Sequence, residues 1–552
     1  MNEIFDYVIV GAGSAGCVLA DRLSEDGRHS VLLLEYGGSD RSIFIQMPSA
    51  LSIPMNMPKY DWRYQTEPEP HLGGRRLHTP RGKVLGGSSS INGLVYVRGN
   101  ALDYEHWESL GAAGWGYRQL LPYFRRAERR ASGGDAYRGA DGKLQTRYGP
   151  LTNPLYQAWL RAGREAGYPL TDDINGYQQE GFGRLDMTVG EGRRSSAANA
   201  YLRPAMRRGN LEVRTHALAT RIEFDGRRAT GVRYRRADVE HVVRARHEVI
   251  VSGGPVNSPQ LLMLSGLGPA PQLSRHGIEL VHELPGVGEN LQDHLEFYFQ
   301  VACLQPITLY SQMTPYRKAL IGLRWIVRKD GLGATNHFET GGFIRSCAGE
   351  RYPDIQYHFL PMAVHYDGSS LAREHGFQAH VGPMRSLSRG WVRLASADPL
   401  EKPKVFFNYM SHPDDWVQMR ACLRLTREIF AQSAFTPYRG REIQPGAGVQ
   451  TDAQIDEFIR AHVESAYHAS CSCRMGRIDD PMAVVDPQTR VIGVEALRVV
   501  DSSIMPAITN GNLNAPTIML AEKAADHILG KPLLPAADVP YYVAPAWESA
   551  QR

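Results

Sequence analysis

Short apolar runs separated by polar breaks at the start of the chain predict a strand, a helix and a second strand. Residues 7–10 (YVIV) are β-branched or aromatic and end at a glycine, which is typical of a short buried strand. Residues 17–23 fit a helix, and residues 31–34 (VLLL) form a second apolar run that ends in Glu35. This order of elements is that of a βαβ unit.

Strands of the same kind recur much later in the chain. β-forming runs fill residues 210–253, and residues 497–500 form another apolar strand that ends in Asp501. Residues 515–529 then predict a helix from their apolar period. Strands at both ends of the chain suggest one sheet assembled from separated segments, and the middle of the chain, about 300–465, would form a second domain.

A glycine-rich turn joins the first strand to the helix. Gly11 permits a tight turn, Gly13 lets the backbone approach a pyrophosphate, and Gly16 lets the helix pack closely on the strand. Ser14 and Ala15 open the helix, whose free N–H groups and partial positive charge attract phosphate groups. The pattern therefore predicts a dinucleotide cofactor.

An acidic residue follows the second strand at the distance expected of a dinucleotide site. Glu35 lies about 20 residues beyond the last glycine, where its carboxylate can accept hydrogen bonds from ribose hydroxyls. A 2′-phosphate would be repelled by this carboxylate, so the pattern disfavours NADP. The motif alone does not separate FAD from NAD.

Composition and charge narrow the class of protein. With 43% hydrophobic and 22% charged residues, the 552-residue chain resembles soluble globular proteins rather than disordered, collagen-like or small disulfide-stapled ones. A formal net charge of +4 gives no bulk attraction to nucleic acid, so no such partner is expected. Six scattered cysteines fit a reducing compartment, and the sequence contains no evident signal peptide or transmembrane run. We expect a cytoplasmic protein, with peripheral membrane association left open.

Three motifs together resemble one known family. They are the glycine turn after the first strand, residues 82–92 (GKVLGGSSSIN) and residues 254–268 (GPVNSPQLLMLSGLG), in that order. On these motifs the chain resembles the glucose–methanol–choline (GMC) oxidoreductases from end to end. The resemblance implies an α/β protein with a discontinuous, Rossmann-like FAD-binding domain containing a doubly wound sheet, and a substrate-binding domain with an antiparallel sheet.

The resemblance also implies how the chain is divided. The FAD-binding domain would be built from three segments and the substrate-binding domain from two, followed by a short tail. The expected segments are 1–155 (FAD-binding, with the flavin loop 81–93), 156–209 (substrate-binding), 210–300 (FAD-binding), 301–465 (substrate-binding), 466–535 (FAD-binding and catalytic) and 536–552 (tail).

The same resemblance assigns residues to FAD. Gly86, Gly87 and Asn92 match positions that line the isoalloxazine ring. In some relatives a histidine of this loop is bonded covalently to the flavin, and the matching position here is Ile91, so we expect non-covalent FAD. Further cofactor contacts are expected at Val213 and Asp501.

Two residues near the C-terminus match the catalytic pair of the family. Oxidation of an alcohol by FAD requires removal of the hydroxyl proton and transfer of hydride from carbon to flavin N5. An imidazole, with an ordinary pKa of ~6.5, is suited to share that proton, and the match places this role on His468. The match places the partner role on Asn514, whose amide would hold the substrate oxygen in line. Taken alone, Asn514 would be interpreted as a cap at a helix start.

His468, Cys471 and Cys473 superficially resemble a metal-binding motif. A closed zinc site needs four ligands, and no matching cluster is evident elsewhere in the sequence. We therefore expect no metal.

The resemblance favours choline as the substrate. A quaternary ammonium has no hydrogen-bond donor, so a site must hold it with a carboxylate and aromatic faces. By the match to choline-oxidising relatives, Glu339 is the candidate carboxylate, and His337, two residues before it, is a further candidate substrate residue. Tyr467, beside the catalytic histidine, is a candidate aromatic face. Without the match, Glu339 would be interpreted as a solvated surface acid.

The expected reaction is FAD-dependent oxidation of choline to betaine aldehyde, with further oxidation to glycine betaine left open. Electrons would pass to a quinone or another non-oxygen acceptor. One alternative is a GMC dehydrogenase or oxidase for an uncharged primary alcohol, because the sequence does not decide oxygen reactivity. Another is a flavin-binding protein without turnover, against which the intact His468 and Asn514 argue.

Overall fold

A computed structural model of the chain describes residues 3–364 and 374–552. The strands are β1 (Glu3–Val10), β2 (Val31–Leu34), β3 (Tyr64–Gln65), β4 (His78–Thr79), β5 (Val95–Tyr96), β6 (Glu128–Arg130), β7 (Leu144–Tyr148), β8 (Gly181–Arg184), β9 (Asp186–Met187), β10 (Val189–Gly190), β11 (Arg193–Arg194), β12 (Leu211–Arg214), β13 (Ala217–Asp225), β14 (Arg228–Arg236), β15 (Val239–Val251), β16 (Leu267–Gly268), β17 (His282–Glu283), β18 (Leu295–Cys303), β19 (Thr340–Ile344), β20 (Ile355–Leu360), β21 (Gly376–Pro383), β22 (Trp391–Arg393), β23 (Lys404–Phe406), β24 (Arg439–Gln444), β25 (Glu464–Ser465) and β26 (Leu497–Val499). The α-helices are α1 (Ser14–Leu23), α2 (Ile43–Gln46), α3 (Ser52–Met55), α4 (Ala101–Ser109), α5 (Tyr117–Ala127), α6 (Pro154–Glu165), α7 (Arg203–Ala205), α8 (Gly254–Leu264), α9 (Ala270–Arg275), α10 (Pro315–Arg328), α11 (Pro413–Ala431), α12 (Asp452–His462) and α13 (Asn514–Ile528).

One seven-stranded sheet contains the βαβ unit predicted at the N-terminus. Its parallel part runs β12–β2–β1–β15, with β26 alongside the end of β15, and the antiparallel strands β14 and β13 continue from the start of β15. Strands in a parallel sheet are covered on both faces, and all four residues of β2 are buried. α1 packs on β1 and β2 and against α13. The prediction of one sheet assembled from distant segments is confirmed.

The carboxyl ends of these parallel strands meet at one edge of the sheet. Gly11 follows β1, Glu35 follows β2, Ser252 follows β15, and Asp501 lies two residues beyond β26. Ligands of open α/β sheets bind at this edge, because loops and helix N-termini converge there. The fold therefore brings together residues that are nearly 500 positions apart in the sequence.

The second large sheet is antiparallel, in the order β24–β18–β21–β20–β19–β8, with β25 paired to β18. Its side chains alternate between two faces. On β18, Phe297 packs into an aromatic core, whereas the preceding Glu296 lines a cavity on the other face. On β20, Tyr357 and Phe359 join that core, and His358 between them lines the same cavity. This sheet is the antiparallel one that the family resemblance implied.

Two expected domain boundaries fall inside elements of the fold. The boundary between residues 155 and 156 falls inside α6. The boundary at residue 300 falls inside β18, which pairs with β21, β24 and β25 and so belongs to the second sheet. The second FAD-binding segment therefore ends before Leu295, and the other boundaries stay predictions. Within residues 3–364 and 374–552, no helix is long and apolar enough to cross a membrane.

Candidate active site

A large cavity lies between the carboxyl edge of the first sheet and one face of the second. The residues predicted from the sequence that line it are Gly11, Gly13, Ser14, Ala15, Glu35, Gly87, Asn92, Tyr467, His468, Asp501 and Asn514. The predicted residues that lie outside its lining are Gly16, Gly86, Val213, His337 and Glu339. Glu296, Phe338, His358 and Asn512 line the cavity but were not predicted from the sequence.

The glycine turn has no room for side chains. Gly11 has a φ of +98°, and a Cβ there would lie 2.5 Å from the carbonyl oxygen of Ser252. A Cβ on Gly16 would lie 1.9 Å from the Gly11 carbonyl oxygen, so Gly16 serves helix packing behind the cavity wall. A Cβ on Gly87 would lie 2.6 Å from Cα of Gly13. The flavin loop therefore abuts the pyrophosphate turn, and the backbone of both faces the cavity, as a bound dinucleotide requires.

Glu35 is fixed at the cavity edge by backbone donors. Its carboxylate accepts hydrogen bonds from the N–H groups of Ala12 at 2.9 Å and Gly37 at 2.7 Å. Burial nevertheless raises the pKa of Glu35 to about 7. Each carboxylate oxygen can accept more than one hydrogen bond, so this buried group suits a ligand that donates from hydroxyls, as a ribose does.

Two further parts of the cavity wall are Asp501, which follows β26, and the start of β13, which follows β12. Asp501 accepts hydrogen bonds from the backbone N–H of Gly254 at 2.8 Å and the hydroxyl of Ser258 at 2.6 Å, which joins β26 to the start of α8. Val213 lies within β12, opposite Leu33, and does not reach the cavity. The cavity contacts from this region are instead Ala217, Leu218 and Ala219, where the chain turns into β13.

Within the flavin loop (81–93), Gly87–Ser90 form a 3-10 turn. Ile91 and Asn92, which follow this turn, line the cavity. Asn92 lines the cavity and is held by Arg194, whose guanidinium donates to its Oδ1 at 2.8 Å. Ile91, the position of the covalent histidine in some relatives, is buried against the cavity. Gly86 shapes the loop from behind, because its φ is +89° and its N–H donates to the Ala12 carbonyl oxygen at 2.7 Å.

His468 is linked to a second buried histidine, and the partners assign the tautomers of both. His294 Nε2 lies 3.0 Å from the Met384 carbonyl oxygen, which accepts but cannot donate. His294 Nε2 therefore donates. Burial lowers the pKa of His294 to about 3, so this ring is neutral and its Nδ1 holds a lone pair. That lone pair accepts a hydrogen bond from His468 Nδ1 at 3.0 Å. A neutral His468 then has its lone pair on Nε2, where it accepts a hydrogen bond from the Asn512 amide at 3.1 Å.

The charge state of His468 follows from its surroundings. Burial first, then the neighbouring His294, His358 and Arg81, hold the pKa of His468 well below its ordinary value. The ring is therefore neutral at neutral pH. In this state Nε2 carries the lone pair of the ring, which can accept a hydrogen bond from a hydroxyl group.

Asn512, not Asn514, is the amide within hydrogen-bond distance of the histidine. Asn512 Nδ2 lies 3.1 Å from His468 Nε2, and its Oδ1 lies 3.3 Å from His358 Nε2. Asn514 is the first residue of α13, and its Oδ1 accepts a hydrogen bond from the Ser14 hydroxyl at 2.8 Å. The start of the helix turns the two amides apart, because Leu513 between them already has a helical backbone.

Asp293 fixes the backbone around His468. It accepts hydrogen bonds from the His468 N–H at 2.6 Å and from the hydroxyls of Tyr409 at 2.6 Å and Ser465 at 2.5 Å. Tyr467 lines the cavity with a left-handed backbone (φ +66°), and its carbonyl oxygen accepts a hydrogen bond from the Arg81 guanidinium. These contacts determine the direction in which the His468 ring points, so Asp293 is a positioning residue.

Glu339 and His337 do not reach the cavity that holds His468. Both line a separate pocket on the outer side of the second sheet. The Glu339 carboxylate accepts hydrogen bonds from the Leu151 N–H at 2.6 Å and the Thr335 hydroxyl at 2.9 Å. Phe338 between them lines the large cavity, and the left-handed backbone of His337 (φ +64°) sets the turn of the chain at this point. The assignment of Glu339 and His337 to the substrate is therefore wrong for this cavity.

Glu296 is the carboxylate that lines the cavity together with His468. Its Oε1 lies 3.0 Å from His380 Nδ1, and its side chain is almost fully buried. The centroid of the Phe338 ring lies 5.3 Å from that of the His380 ring, and Phe338 lines the same cavity as Glu296. A buried carboxylate beside an aromatic ring is the kind of site that holds a quaternary ammonium.

Cys471 and Cys473 are both buried free thiols. Burial raises the pKa of Cys471 to about 12, and it raises the pKa of Cys473 further still, so neither is a thiolate at neutral pH. Among the described residues, no group of three or more histidines, cysteines or acidic residues is arranged to hold a metal ion.

Comparison with known proteins identifies the family. Two family models, both described as GMC oxidoreductase, match residues 5–296 and 386–521. The chain belongs to the GMC oxidoreductase family. It is therefore an FAD-dependent oxidoreductase, and the lining of the cavity fits that cofactor.

Individual relatives match over nearly the whole chain. An oxygen-dependent choline dehydrogenase of Brucella ovis is 59% identical, covering 99% of this chain and 100% of the relative. An enzyme of the same name from Photobacterium profundum is 58% identical, covering 100% of this chain and 98% of the relative. Among solved structures, pyridoxine 4-oxidase from Mesorbium loti has a TM-score of 0.87 at 29% identity, covering 96% of this chain and 99% of that one. A formate oxidase has a TM-score of 0.89 at 26% identity, covering 96% and 98%.

Proposed function

We propose that this chain oxidises choline to betaine aldehyde, and betaine aldehyde further to glycine betaine, with FAD as its cofactor. The observation that carries the proposal is the buried carboxylate of Glu296 in the same cavity as the neutral His468. The Glu296 carboxylate suits the cationic end of choline, and the neutral His468 suits its hydroxyl. The identity to choline dehydrogenases supports the same choice of substrate.

His468 would receive the hydroxyl proton at Nε2. Its Nδ1–H bond to His294 keeps this lone pair available, and burial keeps the ring neutral before the reaction. Asn512 would hold the substrate oxygen beside Nε2 through its amide. Bound FAD supplies the acceptor for the hydride that leaves the alcohol carbon.

Glu296 would face the trimethylammonium group at the other end of the substrate. Phe338 and Tyr467 also line the cavity and offer aromatic faces to the cation. Choline carries its charge and its hydroxyl only two carbons apart, so a site for it needs both kinds of group in one cavity. The large cavity of this chain meets that requirement.

An anaerobic flavin-reduction screen tests the substrate. The purified yellow protein is mixed with choline, betaine aldehyde, and uncharged primary alcohols of similar size, and bleaching of the flavin band is followed. We expect choline to reduce the flavin at least about 100-fold more efficiently than the uncharged alcohols, because these alcohols carry no charge that the Glu296 carboxylate can attract. Faster bleaching by an uncharged alcohol would favour the alternative substrate class. No bleaching by any alcohol would favour a flavin protein without turnover.

The same preparation tests how electrons leave and how FAD is held. We propose a quinone as the acceptor, a cytoplasmic protein that associates peripherally with the membrane, and non-covalent FAD, since Ile91 offers no nucleophile to the flavin. The names of the similar choline dehydrogenases include the words oxygen-dependent, so the reduced enzyme is mixed separately with a soluble quinone and with air-saturated buffer. Faster reoxidation by air, with peroxide formed, would overturn the quinone assignment. Flavin that stays with the acid-precipitated protein would overturn non-covalent binding.

A pair of asparagine variants tests which amide holds the substrate oxygen. We expect Asn512→Ala to lower the rate constant of flavin reduction by choline about tenfold, the value of one well-placed hydrogen bond. Asn514→Ala is the matched control, since it removes the same amide at a residue whose partner is Ser14. Stopped-flow spectrometry measures both. A larger loss of rate in Asn514→Ala than in Asn512→Ala would restore the assignment made from the sequence.

A further inference from the structure

α10 exposes a continuous row of apolar side chains. Tyr316, Leu320, Leu323 and Val327 are spaced by four, three and four residues, so they form one stripe along the helix. Their exposed fractions are 73%, 47%, 59% and 72% among the described residues. Core-facing helices place such a stripe inward, whereas this helix presents it outward.

The opposite side of α10 attaches it to the protein. Trp325 is buried, and its indole N–H donates to the Gly192 carbonyl oxygen at 2.6 Å. With a helical period of 3.6 residues, Trp325 lies about 180° around the helix from Tyr316. The apolar stripe is therefore directed away from the domain that carries the helix.

The charges of α10 have a single sign. The helix contains Arg317, Lys318, Arg324 and Arg328 and no aspartate or glutamate. Arg317, Arg324 and Arg328 fall on one flank of the apolar stripe, since they are separated by seven and four residues. An apolar stripe flanked by basic residues is the pattern of helices that lie in the interface of a membrane.

We propose that α10 binds the surface of a bilayer that contains anionic lipids. The apolar stripe would enter the boundary between head groups and acyl chains, and the basic flank would contact the negatively charged head groups. A second copy of this chain fits the helix less well. Pairing two such stripes would bring together two flanks on which Arg324 is paired with Asp330, whereas Arg317 and Arg328 form no ion pair with an acidic residue among the described residues. The inference rests on the proposed peripheral association and is independent of the substrate.

The position of α10 relates membrane binding to the active site. Trp325 and Lys329, at the end of α10, line a pocket together with Ile43 of α2. The chain that follows α2 supplies Leu51 and Met55 to the wall of the large cavity. An enzyme bound through α10 would therefore hold this wall near the bilayer, which is where a lipid-soluble quinone is found.

Sedimentation with lipid vesicles tests the proposal on the FAD-loaded enzyme. One set of vesicles contains phosphatidylcholine with phosphatidylglycerol, and the other contains phosphatidylcholine alone. The test variant is Leu323→Gln with Val327→Gln, and the control is Val417→Gln with Ile478→Gln, two residues of similar exposure (58% and 70%) away from α10. Exposed positions are chosen so that folding is little affected.

We expect the wild type and the control variant to bind the anionic vesicles and the α10 variant to bind them at least about tenfold more weakly. Binding to phosphatidylcholine alone should be weaker for all three proteins. Equal binding by the α10 and control variants, or no binding by the wild type, would overturn the proposal. If the α10 variant instead changes the sedimentation velocity of the free enzyme from dimer to monomer, the stripe is an interface between copies. Choline oxidation with a soluble acceptor, measured in parallel, reports separately on the proposed function.

Discussion

Replacement of His468 by alanine is expected to leave FAD bound and to slow flavin reduction by choline at least about 100-fold. The hydrogen-bond chain through His294 and the Met384 carbonyl oxygen occupies Nδ1 of His468. The lone pair of the neutral ring therefore lies on Nε2, at the cavity. The variant loses this acceptor for the hydroxyl proton. FAD should remain because the glycine turn and Glu35, which would hold the dinucleotide, are unchanged in the variant. Anaerobic stopped-flow measurement of the flavin band gives the rate constant.

The control for this variant is His71→Ala, which removes an exposed imidazole outside the cavity. It should reduce flavin at the wild-type rate and carry the same flavin content. Rapid bleaching by choline in the His468→Ala enzyme would remove His468 from the mechanism. A colourless His468→Ala protein would mean that the ring supports the cofactor site, and His468→Gln, which keeps a polar side chain, would then be measured in its place.

The cofactor half of the site could be predicted because its signals are local in the sequence. The glycine turn, the helix that follows it and Glu35 lie within one βαβ unit, so their spacing alone places them at one edge of the sheet. The family and its fold class followed from motifs and are confirmed. Val213 was misplaced because a strand predicted from its composition does not reveal which of its residues reaches the cavity.

The substrate half of the site depends on contacts that no local motif encodes. Asn510 and Asn512 precede α13, Asn514 is its first residue, and the residue at which the helix begins decides which amide faces His468. All three residues are asparagine, so the residue type alone does not distinguish them. His294 is distant from His468 in sequence, and the two rings meet only because β18 pairs with β25 close to both of them.

One missed residue did have a signal in the sequence. From residue 295 to 301 the chain reads LEFYFQV, in which Phe297, Phe299 and Val301 share one face and Glu296 falls on the other. Strand alternation by itself therefore directs Glu296 away from the apolar core. Glu339 lies just before β19 and follows the left-handed residue His337, so strand alternation did not predict that Phe338 lines the cavity and its two neighbours do not.

The choice between these two carboxylates leads to the second large expected effect. Glu296→Gln should lower kcat/KM for choline about 100-fold, or roughly 2.7 kcal/mol, because a buried cation loses its charged partner while the shape of the side chain is kept. The kcat/KM for uncharged alcohols should fall much less, since the charge of Glu296 does not attract these substrates. Inhibition by tetramethylammonium should weaken in parallel, because that ion reports on the cation subsite alone.

Glu339→Gln provides the matched control for that experiment. It makes the same chemical change at a carboxylate whose partners are Thr335 and the Leu151 N–H, in a pocket separate from His468. We expect its kcat/KM for choline to stay within about threefold of the wild type, with any loss appearing as lower thermal stability. The reverse outcome, a large loss of choline specificity in Glu339→Gln and none in Glu296→Gln, would mean that substrate binds on the outer side of the second sheet. The relation between Glu296, His468 and the substrate proposed here would then have to be abandoned, whereas membership of the family would stand.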